Sequence, residues 1–343
     1  MSAAPASTSP VPMKVVISHM IPTFLMGLFM TFAYLAGFHR PAPHEVPIAV
    51  VGPQAVTGPV MEKLQAGLGD MVSLRALPDS AAAREALRHL EIAGAFIPGR
   101  EEGKVLLAPA ASDTTAMVVQ RMFEAVSHKT GLPISYRNVV PLSSNDPVGQ
   151  NAFFFLVVIS VTSYALSIAI AAAGATRSWR ERLLLALAAA LAITLIEGGV
   201  AAGLFGMFAG HVPAVLGITF LYSLAVLLVG VGLHPLLGRY STMIYATVFV
   251  GLNFTSSGGV FEPFMQPRFF DALNQFWIGG GYIEALRRIV YFPQVSLSGP
   301  LMVVLGWLLF GALCVALGMW YEQRHKPRPL SESRMELEED VAV

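Results

Sequence analysis

Residues 152–173 read AFFFLVVISVTSYALSIAIAAA, and this run decides the fold. It contains no Asp, Glu, Lys, Arg or His. A helix rises about 1.5 Å per residue, so about 20 apolar residues cross the ~30 Å hydrocarbon core of a bilayer. One comparable stretch precedes it at 15–36, and four follow at 183–208, 213–232, 240–261 and 301–321. Six transmembrane helices are therefore expected, five of them within 152–321. The polar insert at 37–151 must then fold outside the membrane. The expected fold class is an α-helical polytopic membrane protein with an extracytoplasmic α/β domain inserted between helices 1 and 2.

Composition supports this. Hydrophobic residues make up 55% of the 343, charged residues only 13%, and mean hydropathy is +0.61. No soluble domain of this size needs so much apolar surface. The formal net charge is zero and no long run of like charge occurs, which argues against a nucleic-acid partner. Cys314 is the single cysteine and lies inside the last apolar stretch, so an internal disulfide and a cysteine metal site are excluded.

Lys14 before the first stretch, with Ala33 and Ala36 near its end, would suit a cleaved signal peptide. Its apolar core exceeds the ~7 to 15 residues of a signal core, so an uncleaved signal anchor is expected, with residues 1–14 as a cytoplasmic N-terminus. Arg177, Arg180 and Arg182 lie between the second and third stretches, Arg239 between the fourth and fifth, and Arg324, Lys326 and Arg328 after the sixth. The positive-inside rule makes these sides cytoplasmic, places both termini inside and turns 37–151 outward. Residues 322–343, with Glu336, Glu338, Glu339 and Asp340, read as a disordered cytoplasmic tail.

Within 37–151 short apolar runs alternate with helical periodicity. Strands are expected at 48–51, 72–74, 94–97, 104–107 and 134–140. Helices are expected to open at Gly58-Pro59, at Asp79 or Ser80, and at an Asp113 cap. No phosphate-binding loop, nucleophile elbow or zinc-protease helix occurs, and His44, His89 and His128 lack ligand spacing. No convergent pair of acid, base or metal ligands argues for an enzyme, and no metal is expected.

Glu197 is the only ionisable residue deep in an apolar stretch. A charge at the bilayer centre costs at least ~2.5 kcal/mol, so Glu197 should face protein, a watery cavity or a partner, or be protonated. Its two readings are a lining residue of a translocation path and a residue near the outer interface satisfied by neighbouring helices. Asn253 is a second, weaker candidate for the path, because amides commonly bridge helices. Residues 262–299 are too polar to span, carrying Arg268, Asp271, Glu284, Arg287 and Arg288, yet they are rich in Phe, Trp and Tyr. Either a re-entrant or interfacial pair of short helices or an ordinary outer loop fits.

Pro47-Ile-Ala-Val-Val-Gly52, Gly94-Ala-Phe-Ile-Pro98, Ala116-Met-Val-Val-Gln-Arg-Met-Phe123, Val140-Pro-Leu142 and Asn145-Asp-Pro147 sit in a layout resembling the membrane subunits of type-2 ABC exporters. Within that superfamily the chain resembles the YhgE/phage-infection-protein-like membrane proteins of bacteria. Gly258-Gly-Val-Phe-Glu-Pro263, leading to Gly281-Tyr-Ile-Glu-Ala-Leu-Arg-Arg288, looks like the outer helical hairpin of such permeases. The resemblance implies a dimeric permease in the bacterial cytoplasmic membrane, exporting a lipophilic or envelope-related compound. Glu262, Pro263, Pro267, Glu284 and Arg287 would belong to its outer hairpin. The 176–182 loop would present Arg177, Trp179, Arg180 and Arg182 to an ATPase, although positive-inside flanking alone explains the arginines. The chain has no Walker motif and no cofactor of its own, so ATP would be hydrolysed by a separate subunit. Residues 1–13 lack the amphipathic helix that many such permeases carry there, which favours the YhgE-like branch. The alternative is a non-transporting envelope scaffold or receptor whose outer domain binds a partner protein or phage.

Overall fold

The computed structural model describes residues 12–325. The N-terminal segment expected to lack an amphipathic helix is outside the described residues up to position 11, as are Lys326, Arg328 and the acidic residues of the tail. Five helical runs are long and apolar enough to cross a membrane: Met20–Phe38, Asn151–Ala173, Trp179–Gly203, Val212–Thr255 and Ser298–Arg324. The first belongs to α1, Met13–Phe38. The next three comprise α5 (Asn151–Ala173), then α6 (Trp179–Ala192) and α7 (Gly198–Gly203), then α8 (Val212–Leu237), α9 (Ser241–Ala246) and α10 (Asn253–Thr255). The last is α13, which extends to Arg324, three residues past the expected boundary at 321.

The 44-residue run Val212–Thr255 is not one rod. Gly238, at φ +50°, ends α8 in a conformation that glycine adopts without steric cost. The chain then folds back: the Tyr245 hydroxyl donates to the Gly230 carbonyl at 2.7 Å. On a straight helix those residues would be about 22 Å apart. Residues 241–255 therefore run antiparallel to α8.

Between α1 and α5 lies a five-stranded sheet of order β2-β1-β3-β4-β5. Its strands are β1 (Val46–Val51), β2 (Val72–Leu77), β3 (Gly94–Ile97), β4 (Gly103–Leu107) and β5 (Ile134–Asn138). β3 and β4 pair antiparallel and the other neighbours pair parallel. Helices α2 (Gln54–Leu68) and α4 (Asp113–Thr130) cover one face, burying Leu64, Val119 and Phe123 on Ile48, Val50, Phe96 and Val105. Helix α3 (Ser80–Arg88) covers the other, with Ala83 and Leu87 on Ala49, Ala95 and Leu106. Asp79 caps α3 through the Ala81 and Ala82 N–H groups at 2.9 and 2.8 Å. Two expected helix starts move. α2 begins at Gln54 because the Pro53 carbonyl already accepts from Val56 and Thr57, leaving Pro59 inside the helix. Ser112, not Asp113, caps α4, its hydroxyl accepting from the Thr115 N–H.

The α2/α4 side of this core is completed by a distant segment. Met265 is fully buried in it, with Phe261 and Phe264 packed alongside. The Phe264 and Met265 carbonyls accept from the N–H groups of His44 and Ala42 at 2.9 and 2.8 Å. The Thr114 hydroxyl donates to the Val260 carbonyl at 2.5 Å. Residues 260–266 thus form a wedge between the sheet domain and the helix bundle. Met265→Ala is expected to cost about 2–4 kcal/mol by leaving a cavity. Limited proteolysis should then cut residues 42–142 faster than in wild type. Unchanged cleavage would mean that the wedge does not hold the domain.

After the wedge come α11 (Arg268–Asn274) and α12 (Ile278–Tyr291). Their connection is held by the Trp307 indole N–H donating to the Phe276 carbonyl (2.8 Å) and by the Trp277 indole donating to Val248 (3.2 Å). Trp307 is nine residues into α13, about 14 Å along its axis. The hairpin therefore descends about halfway down the bundle and returns.

Candidate functional site

Four features lie along the bundle. At its middle, Asn253 is fully buried. Its amide nitrogen donates to the Tyr222 hydroxyl of α8 at 2.8 Å, and its Oδ1 accepts from the Gly279 N–H, in the first turn of α12, at 2.8 Å. Tyr222 also bonds Ser160 of α5 at 2.6 Å, and its ring lies 4.8 Å from that of Tyr282, whose hydroxyl reaches Thr219 at 2.8 Å. Four helical segments are thereby joined by hydrogen bonds that engage the hydroxyls of Ser160, Thr219, Tyr222 and Tyr282, whereas the buried hydroxyls of Ser163 and Ser223 have no partner among the described residues. Asn253 is a bridge between helices, and it sets the depth of the α11–α12 hairpin.

Glu197 ends a π-helical turn, Ile193–Glu197, between α6 and α7. Such turns recur at functional sites because they displace one residue from the helical ladder. The Glu197 carboxylate is half-buried and contacts the Thr162 hydroxyl of α5, while its Oε2 is buried with no hydrogen-bond partner among the described residues. Next to it, a Cβ on Gly198 would come within 2.4 Å of Leu216, so glycine is what allows α7 to approach α8.

At the opposite end of the bundle from the sheet domain, Arg182 is 2% exposed. Its guanidinium donates to the Gly174 and Ala175 carbonyls at 2.9 and 2.7 Å and pairs with Glu322 of α13 at 2.7 Å. The Trp179 ring stacks against it at 4.7 Å and packs on Gly318. Ser178 and Glu181 form a capping box for α6. Of the four residues expected to share one loop role, Arg182 and Trp179 are committed inward, whereas Arg177 and Arg180 are exposed. The turn 174–178 contains no helix of its own.

At the end of the bundle nearer the sheet domain, a cavity of about 190 Å³ lies between that domain and the helices. Asp113 and Ser112 line it from the domain, Leu142, Asp146, Asn151 and Phe153 from the approach to α5, Met207 and Phe208 from the α7–α8 connection, and Ile283, Leu286, Arg287 and Tyr291 from α12. Arg287 is held by Glu284 at 2.5 Å and donates to the Gly258 carbonyl at 3.1 Å. Glu284 also pairs with Arg288 at 2.8 Å, and Arg288 reaches the Ser296 carbonyl. Glu262 lies nearby: burial pushes its carboxyl up, and the Arg287 charge opposes the shift. Pro263 opens a 3-10 turn, Pro263–Met265, and Pro267 precedes α11. Asp146 Oδ1 caps α5 through the Gln150 and Asn151 N–H groups at 3.1 and 3.3 Å. Burial still holds its carboxyl above the usual range, as it does that of Asp113. Phe208 adopts φ +63°, an uncommon conformation for a bulky residue, which sets its ring 5.6 Å from Phe155 at the cavity wall.

Residues 113, 146, 153, 208 and 291 share no sequence spacing, so no linear signal joins them. The partial signal was the Asn145-Asp-Pro147 motif together with the helix start at Asp113. Comparison of the chain with protein-family models, with curated proteins and with solved structures finds no match in any of the three.

Proposed function

We propose that the chain is a permease-like subunit in a bacterial cytoplasmic membrane, moving a lipophilic or envelope-related compound outward while a separate ABC-type subunit hydrolyses ATP. The observation that carries this reading is the α11–α12 hairpin, which enters the bundle to the level of Asn253 and returns to the outer cavity. In this reading α8 and residues 241–255 each cross, giving six crossings, both termini inside and 37–151 outside. The hairpin is re-entrant. Glu197 lies on the path, and the exposed apolar face of α1 (Phe24, Leu28 and Phe32) meets lipid or a second copy of the chain.

Arg177 pairs with Glu181 at 3.5 Å, which leaves Arg180 as the exposed arginine free to meet an ATPase and so the one to change. Affinity purification in mild detergent should recover a nucleotide-binding chain with ATPase activity from wild type. Arg180→Glu should lose both without a change in thermal stability. Recovery of envelope proteins alone, without ATPase activity, would replace the proposal with the scaffold reading. That second reading draws support from the fixed attachment of the sheet domain, which is anchored by the wedge, by His44–Asp271 at 3.2 Å and by Gln294 to the Arg88 carbonyl at 2.5 Å.

A further inference from the structure

We infer that the outer cavity is a binding site for a quaternary ammonium group, carried by a small free choline-like cation or by a choline-type lipid headgroup. The inference concerns occupancy of the cavity and stands whether or not the occupant is transported.

The charge balance sets the sign of the ligand. Arg287 is the one cation among the lining residues, and Glu284 and the Gly258 carbonyl already occupy it. Asp113 makes no hydrogen bond or ion pair among the described residues, and Asp146 accepts only from backbone N–H groups. The cavity therefore has carboxylate charge in excess and would repel an anionic head.

The lining chemistry narrows the class further. A quaternary ammonium has no N–H to donate and is held by aromatic faces beside a negative charge. Phe153, Phe208 and Tyr291 bring three rings to the cavity from three separate segments, next to Asp113 and Asp146. A volume of about 190 Å³ is smaller than the ~300 Å³ and more of drug-sized pockets, so it suits a headgroup and not a whole lipid. Ser143, Asn145 and Ala209 are exposed and form a mouth through which a chain could leave.

Acidification should weaken binding. The two carboxyls are held above their usual range by burial, so each loses its charge at a higher pH than an exposed aspartate would. The other titratable groups lining the cavity are Arg287 and Tyr291 of α12.

The test is calorimetry on the full chain in phosphatidylglycerol nanodiscs. Three probes are titrated: choline, its neutral isostere 3,3-dimethylbutan-1-ol, and dihexanoylphosphatidylcholine below its micellar concentration. Choline or the short lipid should bind saturably and the isostere at least about tenfold more weakly, a difference of about 1.4 kcal/mol. Asp113→Asn should lose about tenfold and Asp113→Glu should retain most of the affinity. Binding of choline assigns the free quaternary cation as sufficient, whereas binding of the short lipid alone assigns the lipid source. Should Asp113→Asn fail to fold, Phe208→Leu serves instead, with a several-fold loss expected. The inference is overturned if the isostere binds as tightly as the better of the two quaternary probes, if the folded variants bind like wild type, or if none of the three probes binds. Co-purification of an ATPase is read separately, so failure of one proposal leaves the other intact.

Discussion

Asn253→Ala is expected to be among the most damaging single changes in the bundle, costing about 2–4 kcal/mol of stability. It removes the acceptor of the Gly279 N–H and the donor to Tyr222, both buried. An unsatisfied buried polar group costs roughly 1–3 kcal/mol, and lipid offers no replacement water. A partner experiment makes the expectation specific. Gly279→Ala would place a methyl 2.4 Å from Asn253 Oδ1, so it too should destabilise. Because the Asn253 side chain is the obstacle, the double variant should lose less than the sum of the two singles. Thermal unfolding of the four proteins in one detergent measures this. Simple additivity would show that the hairpin is not seated on Asn253.

Arg182→Met is the second large effect, expected at about 2–4 kcal/mol. The change strips the Ala175 carbonyl of its guanidinium donor, removes one of the two donors to the Gly174 carbonyl, which keeps the Arg177 N–H at 2.8 Å, and leaves Glu322 without its cation. The Glu322 side chain is 27% exposed, so it rehydrates in part, and the ion pair itself contributes less than a fully buried one would. The expected order is therefore Arg182→Met well below Glu322→Gln in stability, because Glu322→Gln leaves both carbonyl bonds in place. Equal losses would transfer the effect to the ion pair.

Hydrophobic run length and flanking charge made the long helices legible from the chain, because the bilayer constraint on length is severe. α5 begins within one residue of its expected start. The 240–261 stretch fared less well: its helix stops at Thr255, where Ser256, Ser257 and Gly258 introduce turns whose polar groups find partners inside the protein. Five strands occur near their expected places because their apolar runs are short and bounded by turn residues, although β1 starts at Val46, β2 runs on to Leu77 by pairing with β1, and β5 stops at Asn138, short of the expected 140. The resemblance offers Arg182 and Trp179 as docking residues beside the plain flanking reading, because loop position says nothing about direction. Whether those side chains turn in or out depends on the end of α13, some 140 residues away. The cavity was illegible for a similar reason, since its residues meet only once the sheet domain has docked on α12.

The wedge also bears on how the protein is made. The sheet domain ends its last strand at Asn138, but Met265 is synthesised 127 residues later (265 − 138). At ~5–20 residues per second, roughly 6 to 25 s pass in which the apolar face beneath α2 and α4 waits uncovered. During that interval the nascent domain presents a sticky patch while the remaining apolar helices are still being made. A chain stalled between codons 138 and 265 should therefore display a sheet domain that protease cuts readily and that chaperones retain, and once Met265 has emerged from the ribosome both should end together.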